Sequence, residues 1–283
     1  MRVEVPLRWG DLDAQGHVNN ARYIDYVQDA RADFLFALKI DALLHEGFAV
    51  ASNQIEYRAP VFFSTEPLGA EVSVVGLDEQ TVTLSCQLFQ ADREVAMART
   101  TLSGYDVGSR LRRPLPDLAR EVFAGLLSEA EPLREIDWMD MDAGAKVSEM
   151  RVRWSDLDAY GHVNNAMIFD YVQEGRITFT AAPLRGMAQE VEPDYLWFLA
   201  RQDVVYHHPI VFRMAPYVVR TGIARMGNSS VTFSSQVDDP TDGTVCATAA
   251  AVAVFADASG KPTTLTDQLR QDLSVYALGK ESS

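Results

Sequence analysis

The sequence predicts an α+β fold built twice. Each copy is a long helix laid against an antiparallel sheet. Three observations carry this. First, the text of Arg8–Arg31 returns at Arg153–Arg176, a shift of 145, with 17 identities in 24 positions. Second, fainter echoes continue for a full half-chain: "EYRAPVFF" (Glu56–Phe63) answers "VYHHPIVF" (Val205–Phe212), and "TVTLSCQLF" (Thr81–Phe89) answers "SVTFSSQVD" (Ser230–Asp238), both at a shift of 149. A period this long means two homologous domains rather than a solenoid. Third, each copy reads strand, polar loop, helix, then four strands, the order of an α+β unit.

The elements follow in turn. The opening strands are "RVEVPLRW" and "KVSEMRVRW". A polar loop follows each. In the first helix Tyr23, Tyr26, Val27, Ala30, Phe34, Ala37 and Leu38 fall on one face; in the second, Ile168, Tyr171, Val172, Gly175, Phe179 and Ala182 do so. Asn19 or Asn20, and Asn164 or Asn165, are placed to cap these helices. Runs rich in Val, Thr, Phe and Tyr, parted by Gly, Pro and Asp, predict strands at Phe48–Tyr57, Ala70–Leu77, Thr81–Gln90 and Val95–Tyr105. Their counterparts are Trp197–Tyr206, Tyr217–Ala224, Ser230–Val237 and Val245–Phe255. Pro114 and Pro116 break the strand text, and Asp117 is placed to cap a short helix running to about Leu127. The expected division is therefore a domain over 1–114, a linker with a short helix over 115–144 that packs partly on a domain, and a domain over 145–283. The C-terminal "LTDQLRQDLSVYAL" would be the second copy of the short helix.

The repeated loop holds the chemistry. Asp13 and Asp158 stand seven residues before Asn20 and Asn165, where the helices begin. A helix start offers unpaired N–H groups and partial positive charge, a place for a carbonyl oxygen that becomes an oxyanion. An ionised carboxylate beside it can accept a proton from water or attack directly. Together they suffice for acyl transfer to water. Gly16 and Gly161 permit a tight turn toward the helix, and His17 and His162 could orient water or hold the loop. Asp11 and Asp156 read as structural carboxylates, Tyr26 and Tyr171 as core. Asp29 and Glu174 with Arg31 and Arg176 read as a solvated or helix-pairing set. Arg58, His207 or His208 could meet a ligand phosphate. No metal is expected: Asp11, Asp13 and His17 are loosely spaced, and no HExxH or CxxC accompanies them.

Composition narrows the partners. The 283 residues carry a net charge of −15, which excludes a nucleic-acid backbone or an anionic membrane as the main partner and demands a local basic patch for any anionic ligand. The N-terminus has no apolar segment of the signal type, and the longest apolar run, Ala247 to Ala256, is too short to span a bilayer. A cytoplasmic protein is expected. Cys86 and Cys246 lie apart in strand text and read as buried free thiols.

"RWGDLDAQGHVNNARYIDYVQDAR" and its repeat resemble the signature of hotdog-fold thioesterases, both the 4-hydroxybenzoyl-CoA thioesterase-like acyl-CoA hydrolases and the acyl-ACP thioesterases with their "DLD…HVNN" text. "EYRAPVFFSTEPLGAEV" is similar to the family's second strand and turn. The resemblance covers most of both halves. It implies two tandem hotdog domains, each a long central helix wrapped by antiparallel sheet, pairing as an intrachain pseudo-dimer. The chain would then be a monomer or assemble as a homodimer. It also implies hydrolysis of an acyl-CoA without a cofactor, CoA being part of the substrate. Residue by residue, the base or nucleophile falls on Asp13 and Asp158, the carbonyl-polarising amide on Asn20 and Asn165, and the histidine on His17 and His162. Asn19, Asn164, Gln15, Tyr160, Tyr23 and Ile168 would surround the substrate. The acyl-ACP enzymes carry asparagine where this chain has Gln15 and Tyr160. Alternatives are an acyl-ACP thioesterase, a hotdog hydratase, whose Asp and His are spaced differently, and a non-catalytic acyl-thioester binding protein.

Overall fold

The computed structural model describes residues 1–13, 15–41, 47–106, 108–109, 111–184 and 195–279. The chain divides into two compact units, Met1–Leu133 and Arg134–Ser283.

In the first unit, β1 (Arg2–Val5), β3 (Leu68–Leu77), β4 (Thr81–Gln90), β5 (Arg93–Asp106) and β2 (Phe48–Tyr57) lie side by side in that order. β6 (Leu111–Arg113) adds to β5, and every pairing is antiparallel. Helix α1 (Tyr23–Ala37) packs on β1, β3 and β4. Strand alternation puts one face of the sheet against it. Ala70, Val72 and Val74 of β3 stand opposite Leu88, Cys86 and Leu84 of β4, which stand opposite Ala96, Ala98 and Thr100 of β5, and nearly all are fully buried. Tyr23, Ile24, Tyr26, Val27, Ala30, Phe34 and Leu35 of α1 close the core from above. Pro6 ends β1 four residues in, because proline cannot donate to the ladder.

The second unit repeats the plan. β7 (Lys146–Met150), β9 (Tyr217–Met226), β10 (Ser230–Asp239), β11 (Thr244–Asp257) and β8 (Tyr195–Tyr206) are antiparallel neighbours in that order, and α3 (Met167–Leu184) packs on β7, β9 and β10. Phe179 and Ala182, expected on the buried face of this helix, lie outside the described side chains.

Short helix α2 (Asp117–Ala124) belongs to the first unit. It rests on β3, and the chain after it forms a parallel bridge from Leu127 to Val74. Helix α4 (Asp267–Ser274) does the same in the second unit, followed by a parallel bridge from Ala277 to Ile223. The repeat thus runs to the end of each unit. The two units part at Leu133 and Arg134, inside the expected linker 115–144, because Pro114 and Pro116 end strand pairing while Leu115, Ala119 and Phe123 go on burying apolar surface. Asp117 does not cap α2: the cap position is Pro116, and Asp117 is the first helical residue, paired with Arg120 at 2.8 Å.

A second correction concerns the arginines. Arg31, expected in a solvated or helix-pairing set, is 8% exposed rather than solvated, and Arg176 Nη1 donates to Gln202 Oε1 at 3.1 Å. Wide helix faces bury positions that a seven-residue stripe would leave out. The Arg176 level of the second unit is more polar than its counterpart. Thr221 and Ser235, hydrogen-bonded at 3.0 Å and buried, stand where the first unit has Val72 and Cys86. Gly175 makes room for them: a Cβ there would meet Thr221 Oγ1 at 2.8 Å and Val219 Cγ1 at 2.9 Å. Gly175→Ala should therefore destabilise the protein by about 1 kcal/mol, overpacking outweighing the gain in helix propensity. A lower urea midpoint measures it.

Cys86 and Cys246 are free and buried, and burial pushes their thiols up to about 12 and about 11. At neutral pH they are inert. Among the described residues no helix is long and apolar enough to cross a membrane, and no group of three or more His, Cys, Asp or Glu could hold a metal ion.

Candidate active site

The polar loop is a small clasp with the same geometry in both units. Leu12 bridges Val18, and Leu157 bridges Val163. Inside the bridge Asp13 N donates to His17 O at 2.7 Å, and Asp158 N to His162 O at 2.7 Å. Outside it Asn19 N donates to Asp11 O, and Asn164 N to Asp156 O, both at 2.8 Å. The tip turns through Gly16 and Gly161 at φ 79° and 73°, a region that favours glycine.

The clasp fixes one oxygen of each candidate acid. Asp13 Oδ1 accepts from Gln15 N at 2.8 Å and His17 N at 3.3 Å; Asp158 Oδ1 accepts from Tyr160 N at 2.9 Å and His162 N at 3.2 Å. Oδ2 of either acid has no hydrogen-bond donor among the described residues. Gln15 and Tyr160 thus hold the carboxylate by backbone alone, so their difference leaves its geometry unchanged.

The neighbouring acids do another job. Asp11 Oδ2 accepts from Tyr26 OH at 2.7 Å. Asp156 Oδ2 accepts from Tyr171 OH at 2.6 Å and Arg153 N at 2.8 Å. Both tyrosines are buried. Burial and then the bond to the aspartate hold their hydroxyls protonated well above the usual range. These pairs tie the loop to the helix, as the structural reading of Asp11 and Asp156 expected.

The helix start is sharper than the sequence allowed. Asn19 Oδ1 accepts from Ala21 N at 2.9 Å, and Asn19 O from Arg22 N at 2.8 Å. Asn164 Oδ1 accepts from Ala166 N at 3.0 Å, and Asn164 O from Met167 N at 2.9 Å. The first asparagine of each pair is the cap, and Asn20 opens a 3-10 turn that becomes α1 at Tyr23. The Asn20 N–H has no acceptor among the described residues.

A second segment holds the clasp. Val18 N donates to Val61 O at 2.9 Å, Val163 N donates to Ile210 O at 2.8 Å, and His17 and His162 bridge Phe62 and Val211. The His17 ring stands edge-on to Phe62 at 5.1 Å, and His162 is 8% exposed. Tyr57 OH donates to Asn20 O at 3.0 Å, and Tyr206 OH to Asn165 O at 2.9 Å. Sequence reasoning missed these two tyrosines. The signal was present: both stand in the fainter repeat "EYRAPVFF"/"VYHHPIVF", read only as strand text.

Tyr23 and Ile168, expected beside the substrate, are 1% and 3% exposed. Tyr23 OH donates to Ala59 O at 3.2 Å and accepts from Val61 N at 2.9 Å, and burial, augmented by the Asp13 charge, pushes it up to about 12. In the second unit Tyr217 takes over, donating to Val211 O at 3.1 Å and accepting from Val211 N at 3.2 Å. The first-unit counterpart of Tyr217 is Leu68. The units therefore exchange a tyrosine–leucine pair for an isoleucine–tyrosine pair, keeping one anchoring hydroxyl each. Arg58 is ion-paired with Glu94 and Glu56, and His207 Nε2 hydrogen-bonds Thr248 Oγ1 at 2.9 Å, so both are engaged.

Known proteins share this chain's sequence pattern and its fold. A family model described as the thioesterase-like superfamily matches residues 7–123 and 152–273. No curated protein matches the chain. A Lactobacillus plantarum structure assigned as an oleoyl thioesterase superposes with a TM-score of 0.72 at 15% identity, covering 90% of this chain and 96% of that one. An acyl-ACP thioesterase from Bacteroides thetaiotaomicron gives 0.67 at 11%, covering 90% and 97%. The 12:0-ACP thioesterase from Umbellularia californica gives 0.62 at 11%, covering 91% and 97%. At these identities the likeness is one of fold: each unit is a hotdog domain, a long helix against an antiparallel sheet.

Proposed function

The chain belongs to the thioesterase-like superfamily, and from that premise we propose that it hydrolyses an acyl-CoA to a carboxylic acid and free CoA. The observation that carries this reading is the pair of clasped aspartates. Each is fixed through Oδ1 by two backbone N–H groups, with Oδ2 left for chemistry, just ahead of a helix start.

Oδ2 of Asp13 or Asp158 takes a proton from water as the water oxygen bonds to the thioester carbon. The carbonyl oxygen becomes an oxyanion against the N–H of Asn20 or Asn165 and the positive end of the helix. Collapse breaks the C–S bond, and the aspartate returns its proton to the leaving thiolate. The alternative course is direct attack by Oδ2 to give an anhydride; where water opens it at the aspartyl carbon, a single turnover in ¹⁸O water leaves label in the aspartate, which the general-base course never does.

CoA is preferred to a carrier protein because a net charge of −15 repels an acidic partner of protein size. The test is thiol release on a panel of acyl-CoAs from acetyl to palmitoyl and aryl, beside the matching acyl-carrier proteins. Binding without thiol release would remove the hydrolase reading in favour of a sensor.

Tyr57 and Tyr206 act here as positioning residues, since they fix the peptide that follows the oxyanion donor. Tyr57→Phe with Tyr206→Phe should lower kcat about fivefold, the worth of one hydrogen bond, with KM nearly unchanged. A matched rise in KM would show that they serve binding instead.

A further inference from the structure

The approach to the second loop is built differently from the approach to the first. Along 151–154, Arg151 is exposed, Val152 is 6% exposed, Arg153 is exposed, and Trp154 is 74% exposed. Val152 anchors the segment, and the three exposed residues Arg151, Arg153 and Trp154 fall within four positions of the chain. The backbone beneath is fixed, since Arg153 N donates to Asp156 Oδ2 at 2.8 Å and Asp156 N to Arg153 O at 3.1 Å. The indole stands edge-to-face on Phe212 at 5.3 Å and 86°, which holds its plane and leaves most of its surface to solvent.

The charges are what set this segment apart. Arg8, the counterpart of Arg153, is tied to Asp29. Arg22 is tied to Asp25, Arg58 to Glu94, and Arg213 to Asp239. Arg151 and Arg153 make no ion pair among the described residues, and the first-unit counterpart of Arg151 is Pro6. In a chain of net charge −15, two unpaired arginines beside an exposed tryptophan form the local basic patch that an anionic ligand requires.

We propose that Arg151, Arg153 and Trp154 bind the nucleotide end of CoA, the guanidinium groups taking its phosphates and the indole its adenine. The choice of this ligand rests on the acyl-thioester reading above. Guanidinium matches phosphate oxygens in charge and geometry, and aromatic faces stack on purines. Size argues against a protein occupant. Trp154 and Phe212, in ring contact and exposed by 74% and 38%, offer roughly 200–300 Å² of aromatic surface, below the roughly 800 Å² per partner of a stable protein interface. The first unit keeps the tryptophan, as Trp9, without the paired cations, so the nucleotide site is a property of the second unit.

Adenosine 3′,5′-bisphosphate, which carries neither thiol nor acyl group, is the probe. Titration calorimetry of the full chain should show binding that weakens with salt. Arg151→Ala with Arg153→Ala should weaken it by about tenfold or more, and Trp154→Ala should weaken it with less salt dependence. Arg8→Ala should leave it unchanged. In parallel, the double arginine variant should lower the ratio of kcat/KM for acyl-CoA to that for the matching acyl-N-acetylcysteamine by a similar factor. No bisphosphate binding by the wild type, or equal binding by the double variant, overturns the proposal. So does a variant that loses only acyl-carrier-protein turnover, which would mark the patch as a protein-docking site. If the wild type hydrolyses neither thioester, the hydrolase reading fails, and the bisphosphate titration still decides the nucleotide site.

Discussion

Asp13→Asn combined with Asp158→Asn is expected to lower kcat by about 10³-fold, the scale of a lost general base, with the fold intact. Asparagine is the informative replacement because the two oxygens of each aspartate are held differently. Oδ1 accepts from the N–H groups two and four residues ahead, and an amide oxygen accepts them equally well. Oδ2 becomes an NH₂ that can neither take a proton nor attack. The circular dichroism spectrum and urea midpoint should match the wild type within error. The single variants then assign the activity: near-total loss in one and little change in the other means a single working loop, and about half in each means two. Full activity in the folded double variant would end the assignment of these residues.

Asp156→Ala is expected to cost about 2–4 kcal/mol, the largest stability effect of any loop residue. Asp156 is 4% exposed, and its carboxylate accepts from Tyr171 OH and Arg153 N. Alanine leaves a buried hydroxyl without an acceptor and releases the backbone at the mouth of the loop. Tyr171→Phe should cost less, because it removes the donor together with its need for a partner. Adding Tyr171→Phe to Asp156→Ala should destabilise by less than the sum of the two, since both remove one contact. Asp11→Ala should be milder, because Asp11 is only half-buried. Urea unfolding of the four variants measures the set; a value for Asp156→Ala below that for Tyr171→Phe would show that the carboxylate is not the clamp.

Much of this was legible in the sequence. The repeat announced two units, and the strands Phe48–Tyr57 and Thr81–Gln90 were read to the residue, because alternation and turn residues are local signals. That Asp13 and Asp158 hold equivalent places in the two loops was legible because both copies keep them at one spacing from the helix. The cap was not resolved between Asn19 and Asn20, since either can accept from a helix N–H and only backbone geometry decides. The burial of Arg31 was not legible for a related reason. Arg31 sits at the edge of the helical stripe, and whether that edge meets water or sheet depends on strands 20 to 70 residues away in sequence. Tyr57 and Tyr206 were passed over because their partners, Asn20 O and Asn165 O, lie 37 and 41 residues distant.

The sequence by itself determined that there are two units, the order of their elements, and which carboxylates the loops repeat. These follow from periodicity, punctuation and duplication, which act between residues near in the chain. Only the tertiary structure decided which oxygen of Asp13 is tethered and which is open, that Asp11 and Asp156 are clamps, and that Tyr23 and Tyr217 exchange one anchoring role. It also decided that Arg153 stands without the partner its counterpart has. The physical reason is the same in each case: a hydrogen bond or ion pair a few ångströms long is set by where the sheet brings distant segments together, and identical words in two loops can meet different neighbours there.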